Sequence, residues 1–187
     1  MVSFLVCLAS FGPQSLQLPE VATHDGKSFK LVGRPATVLV FLSDTCPIAN
    51  DLQPRLNALR EKYKSRGVEF LGVHIDPRLT AEEVVSHSKE YEIQYAVTID
   101  KSHRLVSFLG AKITPEVFVL NRSGAIVYRG RVDDTYVEIG VRRSRVTKHD
   151  LADAIEATLS GKKPKVERTE AVGCIIPKLS DFDGVQA

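Results

Sequence analysis

Apolar residues along the chain fall into two patterns, and their alternation predicts the architecture. Residues 36–42, Ala-Thr-Val-Leu-Val-Phe-Leu, form a continuous β-rich run, the mark of a strand buried on both faces. From Pro47 to Arg66 the period changes. Ile48, Leu52, Leu56, Leu59 and Tyr63 recur at three- and four-residue steps, which predicts one amphipathic helix stopped by Gly67. Residues 68–75 make a second apolar strand, closed by Asp76-Pro77. Thr80-Ala-Glu-Glu83 is a capping box that opens a helix to about Tyr91. A short strand is expected over 95–99 and a short helix over 101–109, ended by Gly110. Residues 116–121 and 125–129 read as a hairpin around Arg122-Ser-Gly124. A last helix is expected over 147–159, with Thr147-Lys-His-Asp150 as its capping box. Upstream, His24-Asp25-Gly26-Lys27 marks a turn between short strands.

Helices alternating with strands demand crossovers and parallel pairing, and the late hairpin adds antiparallel strands. The fold class that follows is α/β, a central mixed sheet with helices on both faces and extensions at both ends. After Gly161 a charged tail, Lys162-Lys-Pro-Lys-Val-Glu-Arg-Thr-Glu, leads into the apolar island Ala171-Val-Gly-Cys-Ile-Ile176, which calls for a docking surface. The expected division is an N-terminal segment over 1–15, a main domain over 16–160 and a tail over 161–187 that carries Cys174.

Charge narrows the function. With 25 basic and 23 acidic residues the chain is nearly balanced, which argues against nucleic acid as a partner. No apolar run reaches the roughly 20 residues of a membrane span. The first twelve residues resemble the apolar stretch of an export signal but lack its basic front end. Cleavage near Ala9 would remove Cys7 and leave an even pair, Cys46 and Cys174, as suits a periplasmic or otherwise oxidising compartment; without a signal the site of action would be cytoplasmic.

Cys46 stands where a buried strand hands over to a helix. Helix N-termini favour the thiolate, which is the nucleophilic form, so Cys46 is the candidate nucleophile, to weigh against a buried structural cysteine. Ser43 is placed to hydrogen-bond that thiolate. The five histidines show no metal-ligand spacing, and no Gly-rich phosphate loop is present, so no cofactor and no metal are expected. His74, at a strand end on the edge that carries Cys46, is the histidine to weigh as a ligand or proton relay against a hydrogen-bonded structural role. Val141-Arg-Arg-Ser-Arg145 is a basic run to weigh as an anion patch against solvated surface.

Three segments carry a family resemblance. Val-Phe-Leu-Ser-Asp-Thr-Cys-Pro (40–47), Ile-Thr-Pro-Glu-Val-Phe-Val-Leu (113–120) and Gly-Ala-Ile-Val-Tyr-Arg-Gly (124–130) resemble the active-site turn, the cis-proline segment and the following strand of the thioredoxin-like superfamily. The match is to its redoxin branch, the peroxiredoxin and TlpA-like proteins of the AhpC/TSA type. The resemblance implies a thioredoxin-like fold and thiol–disulfide exchange, with Cys46 as nucleophile. It further implies a cis Thr114–Pro115 bond, a substrate groove shaped by Pro47, Thr114 and Pro115, and Cys174 as a resolving cysteine in the tail. Implied partners are a protein or small-molecule disulfide, thiol or peroxide, and an external thiol reductant. Departures are plain. Ala49 replaces the second cysteine of a C-x-x-C pair, so no disulfide forms within the turn. Ser43 matches part of the peroxiredoxin motif, but Leu39 replaces its proline. Leu42 removes the first cysteine of the copper-delivering C-x-x-x-C-P motif. Thiol peroxidase and a non-catalytic or copper-handling module using Cys46 with His74 stand as the alternatives.

Overall fold

The computed structural model describes residues 20–182. The expected N-terminal segment over 1–15, with Cys7, lies outside them. Two short strands come first, β1 (Val21–Ala22) and β2 (Ser28–Phe29), paired antiparallel across the expected turn. Then follow β3 (Ala36–Leu42), α1 (Pro47–Asp51), α2 (Gln53–Lys64), β4 (Val68–His74), α3 (Ala81–Glu90), β5 (Ala96–Ile99) and α4 (Arg104–Leu109). The chain continues through β6 (Ile113–Thr114), β7 (Val117–Asn121), β8 (Ile126–Gly130), β9 (Tyr136–Glu138), β10 (Val141–Arg142), α5 (Asp150–Leu159) and β11 (Cys174–Ile175).

The main sheet has the order β5-β4-β3-β7-β8. Its β3, β4 and β5 run parallel, and β7 and β8 join antiparallel, as the expected mixed sheet requires. Strand β3 lies at the centre and is buried along its whole length. Its alternate side chains feed two cores. Val38, Val40 and Leu42 pack with Ile48, Leu56, Tyr63, Val84 and Ile155, so α1, α2, α3 and α5 cover that face. Leu39 and Phe41 pack with Phe29, Leu105 and Leu109, so α4 and the β1–β2 hairpin cover the other.

Three expected elements are corrected. The helix expected over 47–66 is two, broken at Leu52, because Pro54 cannot donate to the Asn50 carbonyl and its ring crowds that carbonyl. The helix expected from Lys101 begins at Arg104, where the Asp100 carboxylate accepts from the backbone N–H groups of Arg104 and Val106. Thr147 does not cap α5. Its N–H and hydroxyl, with the Lys148 N–H, are taken by the buried Asp134 carboxylate, and α5 starts at Asp150. The Thr80–Glu83 capping box forms as expected.

The tail is docked rather than loose. Its residues Glu167–Thr169 run along the outer edge of β8: the Arg129 N–H donates to the Glu167 carbonyl and the Thr169 N–H to the Arg129 carbonyl. This covers a strand edge that would otherwise be open to other chains. The tail then crosses to β6 and pairs with it antiparallel through β11.

Candidate active site

The site lies at the C-terminal end of β3. Cys46 is the N-cap of α1, with extended backbone (φ −86°, ψ 108°), and Pro47 occupies the first helical turn, where a missing N–H costs nothing. The sulfur faces inward, and Cys46 is only 1% exposed. As a thiol it donates to the Thr114 carbonyl at 3.0 Å. Thr114 is joined to Pro115 by a cis peptide, as the resemblance implied.

Cys174 is the register partner of Thr114 in the β11–β6 ladder. The ladder thus brings the tail cysteine to Thr114, the residue whose carbonyl also takes the Cys46 S–H, and both cysteines are free thiols here. Burial by itself would push the Cys46 thiol up. The Cys174 S–H, the Ala49 backbone N–H and the Thr114 side chain outweigh it and hold Cys46 below the ordinary cysteine value. Cys174 takes the opposite course: burial, then the neighbouring Cys46 sulfur, push it up to about 11. Cys46 is thus the more acidic of the two thiols.

The structure brings Cys46, Cys174, Pro47, Thr114 and Pro115 together and leaves Ser43 aside. The expected bond from the Ser43 hydroxyl to the sulfur is a correction. That hydroxyl pairs with Thr45 Oγ1 at 3.1 Å, while the Ser43 carbonyl accepts from the Cys46 N–H. His74 is not the hydrogen-bonded structural residue of the alternative reading: it is fully buried and neither ring nitrogen has a hydrogen-bond partner. The basic run at 141–145 is exposed, and two of its arginines are already paired with carboxylates. Arg142 pairs with Asp51 and Arg143 with Asp134, in a β9–β10 hairpin that the sequence reading missed. Arg129 is engaged by Glu116, with its guanidinium nitrogens at 2.6 and 3.0 Å from one carboxylate oxygen, beside the cis-proline rather than at the sulfur. Two further polar residues near Cys46 were also missed, Asn50 and His87, bonded to each other at 2.9 Å. Among the described residues no cluster of three or more histidine, cysteine or carboxylate side chains is placed to hold a metal ion.

A cysteine capping a helix beside a cis-proline strand, on a mixed sheet with helices on both faces, defines a redoxin-type protein of the thioredoxin superfamily. Comparisons with known proteins agree. A protein of Sinorhizobium meliloti 1021, described as hypothetical, has a crystal structure that superposes with a TM-score of 0.72 at 27% identity, covering 84% of this chain and 88% of that one. An uncharacterised conserved protein from Geobacillus kaustophilus gives a TM-score of 0.73 at 25% identity, covering 86% and 89%. The thiol-disulfide oxidoreductase ResA of Bacillus thuringiensis subsp. konkukian is 26% identical over 121 residues, which is 65% of this chain and 67% of that protein. Residues 14–129 match the AhpC/TSA family, and the chain belongs to it. It is a thiol-based oxidoreductase.

Proposed function

We propose that the protein exchanges thiols and disulfides with Cys46 as the attacking sulfur and Cys174 as the resolving one. The observation that carries this is the β11–β6 register, which sets Cys174 against Thr114, the residue that also holds Cys46. Ala49 leaves Cys46 no partner within its own turn, and the docked tail supplies one.

The chemistry follows from the unequal thiols. The Cys46 thiolate attacks one sulfur of a substrate disulfide. A mixed disulfide forms, and the other substrate sulfur leaves as a thiolate that takes a proton. Cys46 then carries no charge. The neighbouring-sulfur effect that held Cys174 protonated is gone, and its thiol ionises more readily. Cys174 attacks the Cys46 sulfur, a Cys46–Cys174 disulfide forms, and the second substrate thiol is released. Two protein thiols have been oxidised and one substrate disulfide reduced. An external dithiol restores the reduced protein. Because Cys46 is almost wholly covered, β11 has to lift from β6 before substrate reaches the sulfur.

An oxidising compartment is part of this proposal, since Cys46 and Cys174 are the pair left once the apolar N-terminal stretch is removed. Among the described residues no helix is long and apolar enough to cross a membrane. The test is mass spectrometry after reaction with a model disulfide. Cys174→Ser should accumulate a mixed disulfide on Cys46, and Cys46→Ser should abolish turnover. Absence of any Cys46–Cys174 peptide in non-reducing maps of the oxidised wild type would remove the resolving role. Faster consumption of hydrogen peroxide than of the disulfide would favour the peroxidase chemistry instead.

A further inference from the structure

Helix α1 is a single turn of five residues, and the break at Leu52 separates it from α2. Such a short helix is marginal alone, because fixing the first turn costs more than its few hydrogen bonds return. Yet the placement of the Cys46 sulfur depends on this turn, since Cys46 is its N-cap and the Cys46 carbonyl takes the Asn50 N–H at 3.0 Å. Something outside the turn has to hold it.

A row of buried amides does so. Asn50, Gln53 and Asn57 lie on one side of α1 and α2, each at most 9% exposed, and all three reach toward the α3–β5 region. Gln53 accepts from the Tyr95 hydroxyl at 2.6 Å and donates to the Ala49 carbonyl at 2.9 Å. Asn57 donates to the Glu92 carbonyl and accepts from the Gln94 N–H. Asn50 is the member that reaches the loop around the sulfur. Its Nδ2 donates to the Asp44 carbonyl at 2.8 Å, two residues before Cys46, and its backbone N–H donates to the Cys46 carbonyl at 3.0 Å. One side chain thus ties the chain before the cysteine to the helix after it.

Asn50 is oriented in turn. Because Nδ2 is spent on Asp44, Oδ1 is the acceptor, and it takes the Nε2–H of His87 in α3 at 2.9 Å. That bond fixes the His87 tautomer, with Nδ1 left unprotonated, buried and without a partner. His74 and Tyr91 pack on the His87 ring, each with centroids 5.0 Å away, and hold its rotation.

We propose that Asn50 and His87 are positioning residues for Cys46: His87 orients the Asn50 amide, and Asn50 closes the 44–50 loop that holds Cys46 at the head of α1. The proposal rests on Cys46 being the nucleophile. It differs from a merely structural role in predicting that the chemistry of the sulfur, and not only the fold, follows the Nε2–H donor.

The test measures the alkylation rate of Cys46 by iodoacetamide against pH in the full chain, with thermal midpoints in parallel. Asn50→Leu keeps the volume and removes both hydrogen bonds. His87→Gln places an N–H near the Nε2 position, whereas His87→Asn places one near Nδ1. Asn50→Leu and His87→Asn are expected to react about tenfold more slowly at pH 7, because the midpoint rises by about one pH unit while the high-pH plateau is unchanged. His87→Gln should stay within about twofold of wild type, on the same reasoning. Either arm decides alone. Wild-type profiles in Asn50→Leu, or equal rates in the Gln and Asn variants of His87, overturn the positioning role. Wild-type protein whose labelling falls on Cys174 rather than Cys46 would instead overturn the nucleophile assignment beneath it.

Discussion

His74 ends β4 with no exposed surface and no hydrogen-bond partner on either ring nitrogen. Burial, and then the neighbouring His87 and His24, pull its pKa from 6.5 down to about 3. In the unfolded chain the ring protonates near pH 6.5. Between that value and 3 the unfolded state holds more protons, so falling pH favours unfolding. The stability that comes from a neutral ring is fully present above pH 6.5 and is lost as pH falls toward 3. At pH 5 the loss is about 2 kcal/mol. His74→Leu removes the ionisation and two unpaired buried nitrogens. Urea unfolding at pH 7 and pH 5 should show the wild type losing about 2 kcal/mol that the variant retains. Equal losses in both proteins would mean that His74 is hydrated and protonates in the folded state. At this scale the sequence revealed Cys46, because a cysteine between a buried strand and a helix is a local pattern. It did not reveal the Asn50–His87 pair, whose members stand 37 residues apart and meet only once α3 packs on α1. Ser43 misled for the same reason in reverse. Proximity in sequence suggested the sulfur, but the nearest hydroxyl belongs to Thr45.

Among the elements, β11 is one of several two-residue strands and the most consequential of them. It has two residues, its Ile175 is 79% exposed, and its ladder with β6 comprises two register pairs. The Ile176 N–H adds a bond to the Lys112 carbonyl at 2.8 Å. What lets it dock is Gly173. A Cβ there would stand 2.1 Å from the Thr114 carbonyl oxygen, well inside contact distance, so any side chain pushes the tail from β6. Gly173→Ala is therefore expected to undock β11 while leaving the main sheet intact. The near-ultraviolet and far-ultraviolet circular dichroism should be nearly unchanged. Labelling of Cys174 at pH 8 should rise by about a hundredfold, because its burial and its proximity to the Cys46 sulfur, which together push it up to about 11, are both relieved. Unchanged labelling of Cys174 would show that the strand tolerates the shift. The apolar island at 171–176 was legible as a docking segment, since so many apolar residues in a charged tail need cover. Its receptor was not, because a two-residue ladder formed 60 residues from its partner leaves no periodic trace. The β9–β10 hairpin escaped for a related reason: its arginines read as solvated charge, while their carboxylate partners Asp51 and Asp134 lie elsewhere in the sequence.

Across the whole molecule, the tail acts on the Cys46 sulfur in two opposed ways. It covers Cys46, and through the Cys174 S–H it also favours the Cys46 thiolate. Its remaining anchors lie away from the sulfur. Thr169 is held against Gly130, where its side-chain oxygen accepts from the Arg131 N–H and meets the Tyr128 hydroxyl at 2.7 Å; Phe182 stacks edge-on against His103. The segment over the site is thus slung between two fixed points and can lift without detaching the rest. Truncation after Thr169 keeps the seam along β8 and removes both the cover and the donor. The two effects separate in an alkylation profile. Loss of the S–H donor should raise the midpoint for Cys46, because the thiolate loses a stabilising bond. Loss of the cover should raise the high-pH plateau, where every sulfur is already ionised and only access limits the rate; because it also relieves the burial that pushes the thiol up, the midpoint reports the balance of donor and burial while the plateau reports access alone. The truncated protein should therefore react more slowly than wild type near pH 7 if the donor dominates, yet faster above the midpoint in either case. A plateau equal to that of wild type would show that β11 does not shield the sulfur, and lifting of the tail would then drop out of the reaction sequence.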